Sequence, residues 1–417
     1  MAAERNAKDF MDPSSLLTQE EWQGSLTGTQ RKAALLFSRP EAQQRELGYF
    51  HTLKEICQQP WTWLRTCERM MALRDCLRNV VKGMNVVAFT GSGSSEYAGD
   101  CVRIPLQREL GIGVESISAG DLLIQGARAL PSTRPGLLVS LARSGNSPES
   151  AGVVKALVDS QPGYRHLVVT CNENGTLATA WTKHENVQVM VLPPETNDES
   201  LVMTSSFTNL MLAARFLGML NEPERYRNLC VSLSNIVQKL LVENFDKLAR
   251  VSTTKFRRAV FLGSGTRYAA SREAALKMLE MSSGRVTTVC ETYLGLRHGP
   301  MSFVHEDTLI VCQLSSDPIP RAYELDLLAE LDRKKLGLSK VIVGENVPAA
   351  VLGNGDEAIE CPGLTELGDD DAAITFVVVA QLLAFFKCLE EGLLPDSPSE
   401  GGVINRVVES FPLHTHS

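Results

Sequence analysis

An α/β protein made of two doubly wound halves behind an N-terminal helical arm is the fold class this sequence predicts. Three observations carry the prediction. Short apolar runs are each followed by small residues and then a helical stretch, that whole series occurs twice along the chain, and the segment ahead of it has apolar residues at helical spacing.

The chain is polar up to about Pro40 and starts as a loose tail. From 41 to 81, Leu47, Phe50, Leu53 and Ile56, then Trp63, Leu64, Met70, Leu73 and Leu77, recur as on amphipathic helices. Pro60 should break this stretch or start its second helix, because proline lacks the N–H that a helix interior needs. Residues 1–76 are therefore read as tail and arm.

From Asn85 the pattern changes to apolar runs at 86–89, 113–118, 136–141, 166–170 and 187–192. Runs without polar alternation suit strands covered on both faces, and the helical segments between them suit crossovers, so the sheet should be parallel. Helices at 206–220 and 225–248 follow. The series then restarts with 259–262, 285–290, 309–314, 340–343 and 358–361. VVAFTGSGSSEYAG (86–99) corresponds to AVFLGSGTRYAA (259–270), and LLVSLARSGNSPES (137–150) to LIVCQLSSDPIPRAYE (309–324), at an offset of roughly 172 residues. A duplication accounts for this; two unrelated doubly wound domains are the alternative. The resulting division is 77–224, 225–394 and a C-terminal tail at 395–417.

Composition narrows the function. The 417 residues are 44% hydrophobic, enough for two cores, and a net charge of −8 argues against a nucleic-acid partner. Ten cysteines with no CxxC spacing suggest neither a zinc knuckle nor a dithiol pair, and fit a reducing compartment. No stretch approaches the run of roughly 18 apolar residues that a membrane helix needs, and MAAERNAKDF lacks a signal-peptide core. A cytoplasmic protein without a membrane partner is expected.

Gly91-Ser92-Gly93-Ser94-Ser95 lies between a strand and a helix, where free N–H groups and the helix dipole favour an anion, with the Ser94 and Ser95 hydroxyls as further donors. A dinucleotide fingerprint would need glycine where this chain has Glu96. Ala142-Arg143-Ser144-Gly145-Asn146-Ser147-Pro148-Glu149 repeats the arrangement and adds a guanidinium suited to a phosphate. Together the two loops point to a phosphate monoester; tight turns without a ligand are the alternative. In the second half the matching loop, Ser315-Ser316-Asp317-Pro318, places a carboxylate that should repel an anion. There the helix at 271–280 sets Glu273, Lys277 and Glu280 at i, i+4 and i+7, either a reactive face or a solvated stripe. His298 stands in a turn flanked by Arg297, Gly299 and Pro300, a place suited to reaching a ligand. The other histidines show no metal-ligand spacing apart from His414 and His416 in the tail, so neither a metal nor a cofactor is expected.

With these pieces in order, the chain over about 77–394 resembles tandem sugar isomerase (SIS) domains. Its serine-rich loops, the ALKMLE helix (275–280) and the LRHGP turn (296–300) are similar to the isomerase half of glucosamine-6-phosphate synthase. The resemblance is closer to bacterial galactosamine-6-phosphate deaminases, also known as tagatose-6-phosphate ketose/aldose isomerases. ARSGNSPES (142–150), LGLRHGP (294–300), SSDP (315–318) with YELDLL (323–328), GGVINRVV (401–408) and the arm around Gln59-Pro60-Trp61 carry it.

The resemblance implies three-layer domains with five-stranded parallel sheets of flavodoxin-like order. It also implies that Glu280 shuttles a proton between C1 and C2, that Lys277 and Glu273 flank the sugar, and that His298, supplied by a neighbouring subunit, opens the ring. A homodimer or homotetramer follows from that donated histidine. Ser95, Ser144 and Ser147 fall at phosphate-binding positions, Arg143 replaces a glutamine of the synthase, and Ala142 replaces a serine. Where the synthase tail has a lysine this chain has Val408, with Asn405 and Arg406 nearby; Arg406 is the candidate to take its place. With no amidotransferase domain ahead of the repeat, the implied reaction is D-galactosamine 6-phosphate to D-tagatose 6-phosphate and ammonia. Tagatose-6-phosphate ketose/aldose isomerisation, glucosamine-6-phosphate deamination and, from another class, a non-catalytic sugar-phosphate sensor are the alternatives.

Overall fold

The computed structural model describes residues 13–414, so the loose tail expected at the start of the chain and His416 lie outside the described residues. The arm is helical from α1 (Gln19–Thr29) and α2 (Arg31–Phe37) through α3 (Glu41–Glu46), α4 (Phe50–Cys57), α5 (Gln59–Ala72) and α6 (Arg74–Val81). Pro60 is the second residue of α5, where its missing N–H costs nothing. Helices α1 and α2 begin the arm ahead of residue 41, where apolar residues at helical spacing first become visible in the sequence. Thr18 and Glu21 form a capping box on α1, Asp246 accepts the first N–H groups of α2, and Trp22, Leu26, Ala33 and Leu36 are buried. Only two buried residues in each of these short helices leave too brief a stripe to read.

The chain clusters into two compact units: residues up to Trp61 with Asn228–Glu400, and Thr62–Arg227 with the residues from Gly401 on. In the second of these, β1 (Val86–Gly91), β2 (Gly113–Ser118), β3 (Gly136–Ala142), β4 (Tyr164–Thr170) and β5 (Val187–Val191) pair in the order β2-β1-β3-β4-β5, all parallel. The crossovers are α7 (Ser94–Leu110), α8 (Ala119–Gln125), α9 (Pro148–Leu157) and α10 (Thr176–Thr179), followed by α11 (Ser205–Arg215). Every residue of β1 and β3 is buried, as runs without alternation require. Gly136 is glycine for want of space, since a Cβ there would stand 2.4 Å from the Tyr164 ring. The helix expected at 206–220 ends at Arg215 and passes into a 3₁₀ turn, Phe216–Gly218.

After α12 (Pro223–Ser252) the topology repeats. Strands β6 (Arg258–Leu262), β7 (Thr287–Glu291), β8 (Thr308–Gln313), β9 (Ser339–Gly344) and β10 (Glu357–Glu360) pair in the order β7-β6-β8-β9-β10, again all parallel. Around them run α13 (Thr266–Met281), α14 (Tyr293–Leu296), α15 (Pro318–Arg333), α16 (Leu364–Leu367) and α17 (Asp369–Glu390). Both sheets have the 2-1-3-4-5 order of flavodoxin-like folds, in which ligands bind beyond the carboxyl ends of the strands.

Helix α17 corrects the expectation that no segment is apolar enough to span a membrane. Its most apolar 18-residue window has a mean hydropathy of 2.1, yet 94% of that window is buried. It is a core helix, apolar on all sides because protein surrounds it, and it packs along α13.

His166 on β4 is 1% exposed, and neither ring nitrogen has a hydrogen-bond partner among the described residues. Burial, reinforced by nearby His184, lowers its pKa to about 4. The unfolded chain, titrating near 6.5, takes up this proton first on acidification. Stability is therefore full above about pH 6.5 and declines as pH falls toward 4. Urea unfolding at pH 7 and pH 4.5 should show a loss of about 2 kcal/mol that His166→Leu removes. An unchanged pH dependence in that variant would rule His166 out as its source.

Candidate active site

The residues singled out in the sequence fall into two groups, one in each unit. In the Thr62–Arg227 unit, the β1 loop turns through Gly93, whose φ of 56° and ψ of −125° suit glycine, into α7, which begins with buried Ser94 and Ser95. The Ser95 hydroxyl donates to Met203 Sδ at 3.8 Å. The β3 loop carries buried Arg143 and Ser144 and reaches Ser147, the N-cap of α9, whose side chain makes no cap hydrogen bond. With Pro148 at the first helical position, this loop is a helix N-terminus with a hydroxyl beside it, a setting that favours an anion.

Two guanidiniums are fixed nearby. Arg143 Nη1 donates to the carbonyls of Ser200 (3.1 Å) and Leu201 (2.9 Å), and its Nη2 to the carbonyl of Arg406 (2.8 Å). Arg406 in turn donates through Nε to the Asp198 carbonyl (2.8 Å) and through Nη2 to Asn197 Oδ1 (2.8 Å). These carbonyl and carboxamide acceptors fix the orientation of both guanidiniums. The segment they grip is itself held by Asp198, buried at 1% exposure, whose carboxylate accepts from the N–H groups of Thr204 and Ser206, both at 2.8 Å, and from the hydroxyls of Ser205 and Ser206. Asn197 and Asp198 escaped the sequence reading. The only signal was an Asp six to eight positions ahead of Thr204-Ser205-Ser206, a spacing with no local rule behind it.

In the other unit, α13 brings Glu273, Lys277 and Glu280 together. Lys277 Nζ lies 3.4 Å from Glu273 Oε1 and 2.5 Å from Glu280 Oε2. The Lys277 and Glu273 side chains are 1% and 0% exposed, against 22% for Glu280. A solvated stripe is thereby excluded. One buried ammonium orients two carboxylates, of which only Glu280 reaches outward. His298 follows α14 in a turn. Its N–H donates to the Gly295 carbonyl at 2.9 Å, Arg297 Nε anchors the turn to Glu330 at 2.7 Å, and the His298 side chain is exposed. Asp317 also has a local structural task in the loop that matches the first repeat's β3 loop. Its carboxylate caps α15 by accepting from the Ile319 N–H at 3.0 Å, and the donors of that loop turn to Asp369 instead.

No family model matches the chain. Among individual proteins, the D-galactosamine-6-phosphate deaminase AgaS of Shewanella sp. (strain ANA-3) is 33% identical over 379 residues, covering 89% of this chain and 94% of that protein. The D-galactosamine-6-phosphate deaminase AgaS of Escherichia coli is 33% identical over 371 residues, covering 87% and 95%. The crystal structure of tagatose-6-phosphate ketose/aldose isomerase from Escherichia coli superposes with a TM-score of 0.78 at 30% identity, covering 88% of this chain and 97% of that one. With a third of the residues identical over nearly the whole length of each relative, the chain belongs to the AgaS family of D-galactosamine-6-phosphate deaminases.

Proposed function

We propose that the protein converts D-galactosamine 6-phosphate to D-tagatose 6-phosphate and ammonia, with the 77–224 half binding phosphate and the 225–394 half carrying the chemistry. The observation that carries this reading is the Glu273–Lys277–Glu280 trio, in which two charges are buried to hold a third, partly exposed carboxylate in place. A sensor needs no such base; a proton shuttle does.

Ser94, Ser95, Ser144 and Ser147 take the phosphoryl oxygens, with Arg143 and Arg406 as oriented cations. His298, exposed in its turn, helps open the pyranose of a neighbouring copy, so the working unit is a homodimer or larger. Glu280 removes the C2 proton of the aldehyde form, leaving an enolamine, and returns it at C1. The product is a C2 imine, and water hydrolyses it to the ketose and ammonia. With oxygen at C2 the same shuttle interconverts ketose and aldose, the reaction named for the Escherichia coli isomerase. The cysteine pattern fits a cytoplasmic site of action.

The test is to incubate the pure protein with galactosamine 6-phosphate, glucosamine 6-phosphate and tagatose 6-phosphate, assaying ammonia and ketose separately. Ammonia matched by ketose from the galacto substrate is expected. Ketose–aldose exchange without ammonia would move the assignment to isomerase, and saturable binding with neither product would make the protein a sensor.

A further inference from the structure

The second repeat keeps the frame of the first repeat's anion loops. Gly265, ahead of α13, has φ 60° and ψ −130°, close to Gly93 ahead of α7. Asp317 and Ser147 are both N-caps followed by proline. In this second frame the loop donors already hold an anion. The Ser315 hydroxyl donates to Asp369 Oδ2, the Ser316 N–H donates to Asp369 Oδ1 at 2.8 Å, and Arg267 Nη2 lies 3.1 Å from Oδ2. Arg267 is 1% exposed; its Nη2 also donates to Glu324 Oε1 at 2.7 Å and its Nη1 to the Gln313 carbonyl at 2.8 Å. Glu324 Oε2 accepts the Ser315 N–H at 2.6 Å, and one residue further Thr266 Oγ1 donates to Asp370 Oδ1 at 2.6 Å. Asp369 and Asp370 open α17, whereas Thr266 and Arg267 open α13.

We propose that the second repeat retains an anion site whose resident ligand is the Asp369 carboxylate, and that this internal anion locks the N-terminus of α13. Strand, loop and helix N-terminus form the setting that binds oxyanions elsewhere. Here a side chain supplies the oxyanion. Charge sets what the site can take once emptied: Arg267 already faces Glu324, so a phosphate dianion would meet a second carboxylate, while a small monoanion such as acetate replaces Asp369 charge for charge. The lock has a purpose because α13 carries Glu273, Lys277 and Glu280. That part of the inference rests on the reading of Glu280 as the proton shuttle; the anion site itself does not.

Asp369→Gly tests both parts. The variant should melt below the wild type, and acetate or formate, against chloride at equal ionic strength, should raise its Tm saturably. The wild type and Asp369→Asn, whose carboxamide fills the space, should not respond. Ammonia release should fall in Asp369→Gly and recover with acetate. A folded Asp369→Gly whose Tm ignores both carboxylates overturns the site. Tm rescue with turnover undiminished from the start keeps the site and overturns the lock. If the wild type releases no ammonia from any amino-sugar phosphate, the melting arm still decides the site. Should Asp369→Gly not accumulate folded, refolding yields from urea in acetate and in chloride decide, and equal yields overturn the proposal.

Discussion

Replacing Glu280 with glutamine should lower ammonia release by about a hundredfold to ten-thousandfold, the range a positioned general acid–base group contributes, while the fold and phosphate-ester binding survive. The amide keeps the size of the side chain, and its oxygen can still accept from Lys277, which now lies 2.5 Å from Glu280 Oε2. What it cannot do is take a proton from carbon. Glutamine removes one of the two carboxylates beside the buried Lys277 ammonium, and Glu273, 3.4 Å from it, stays as the remaining counter-charge that lets the variant fold. The direct readout is exchange of the substrate's C2 hydrogen with heavy water, followed by NMR, beside calorimetric binding of the substrate. Exchange at the wild-type rate in this variant would sink the assignment of Glu280. Lost exchange together with lost binding would instead show that the side chain holds the sugar.

Much of this architecture is legible without coordinates, for physical reasons that also mark where legibility stops. Strands β1, β3, β6 and β8 announce themselves because a parallel strand covered on both faces must be apolar throughout, and such runs as Val-Val-Ala-Phe have few other uses. The loops that leave β1 and β3 are legible because close approach to an anion demands glycine and hydroxyls. The partners that finish a site are not, since they arrive from distant parts of the chain. Asp369 meets Ser315 across 54 residues of sequence, and Arg406 meets Asp198 across 208. Burial is equally silent in the sequence. Glu273 and Lys277 have the spacing of a surface ion pair, and nothing nearby says that α13 turns that face inward. The same blindness, with opposite sign, lets α17 resemble a membrane helix when its apolar surface belongs to a core.

Burial of the trio has a second consequence, for stability. Lys277→Met should destabilise the protein by about 3–5 kcal/mol, the usual result of removing one partner of a buried ion pair. Two effects compete. Methionine fills the space and spares the fold the desolvation of an ammonium, but the Glu273 carboxylate stays at 0% exposure and loses its neighbouring positive charge. The second effect wins, because a buried charge stripped of its counter-charge costs more than burial of a flexible thioether returns. The double variant Glu273→Gln/Lys277→Met removes both charges and should be more stable than Lys277→Met alone, a coupling that a double-mutant cycle reads directly. Urea unfolding with matched m-values measures all of this. A single variant within about 1 kcal/mol of the wild type, the scale of an ordinary substitution, would mean that Lys277 does not hold the carboxylates. The trio would then be an arrangement of convenience, and Glu280 would lose its claim to a fixed position.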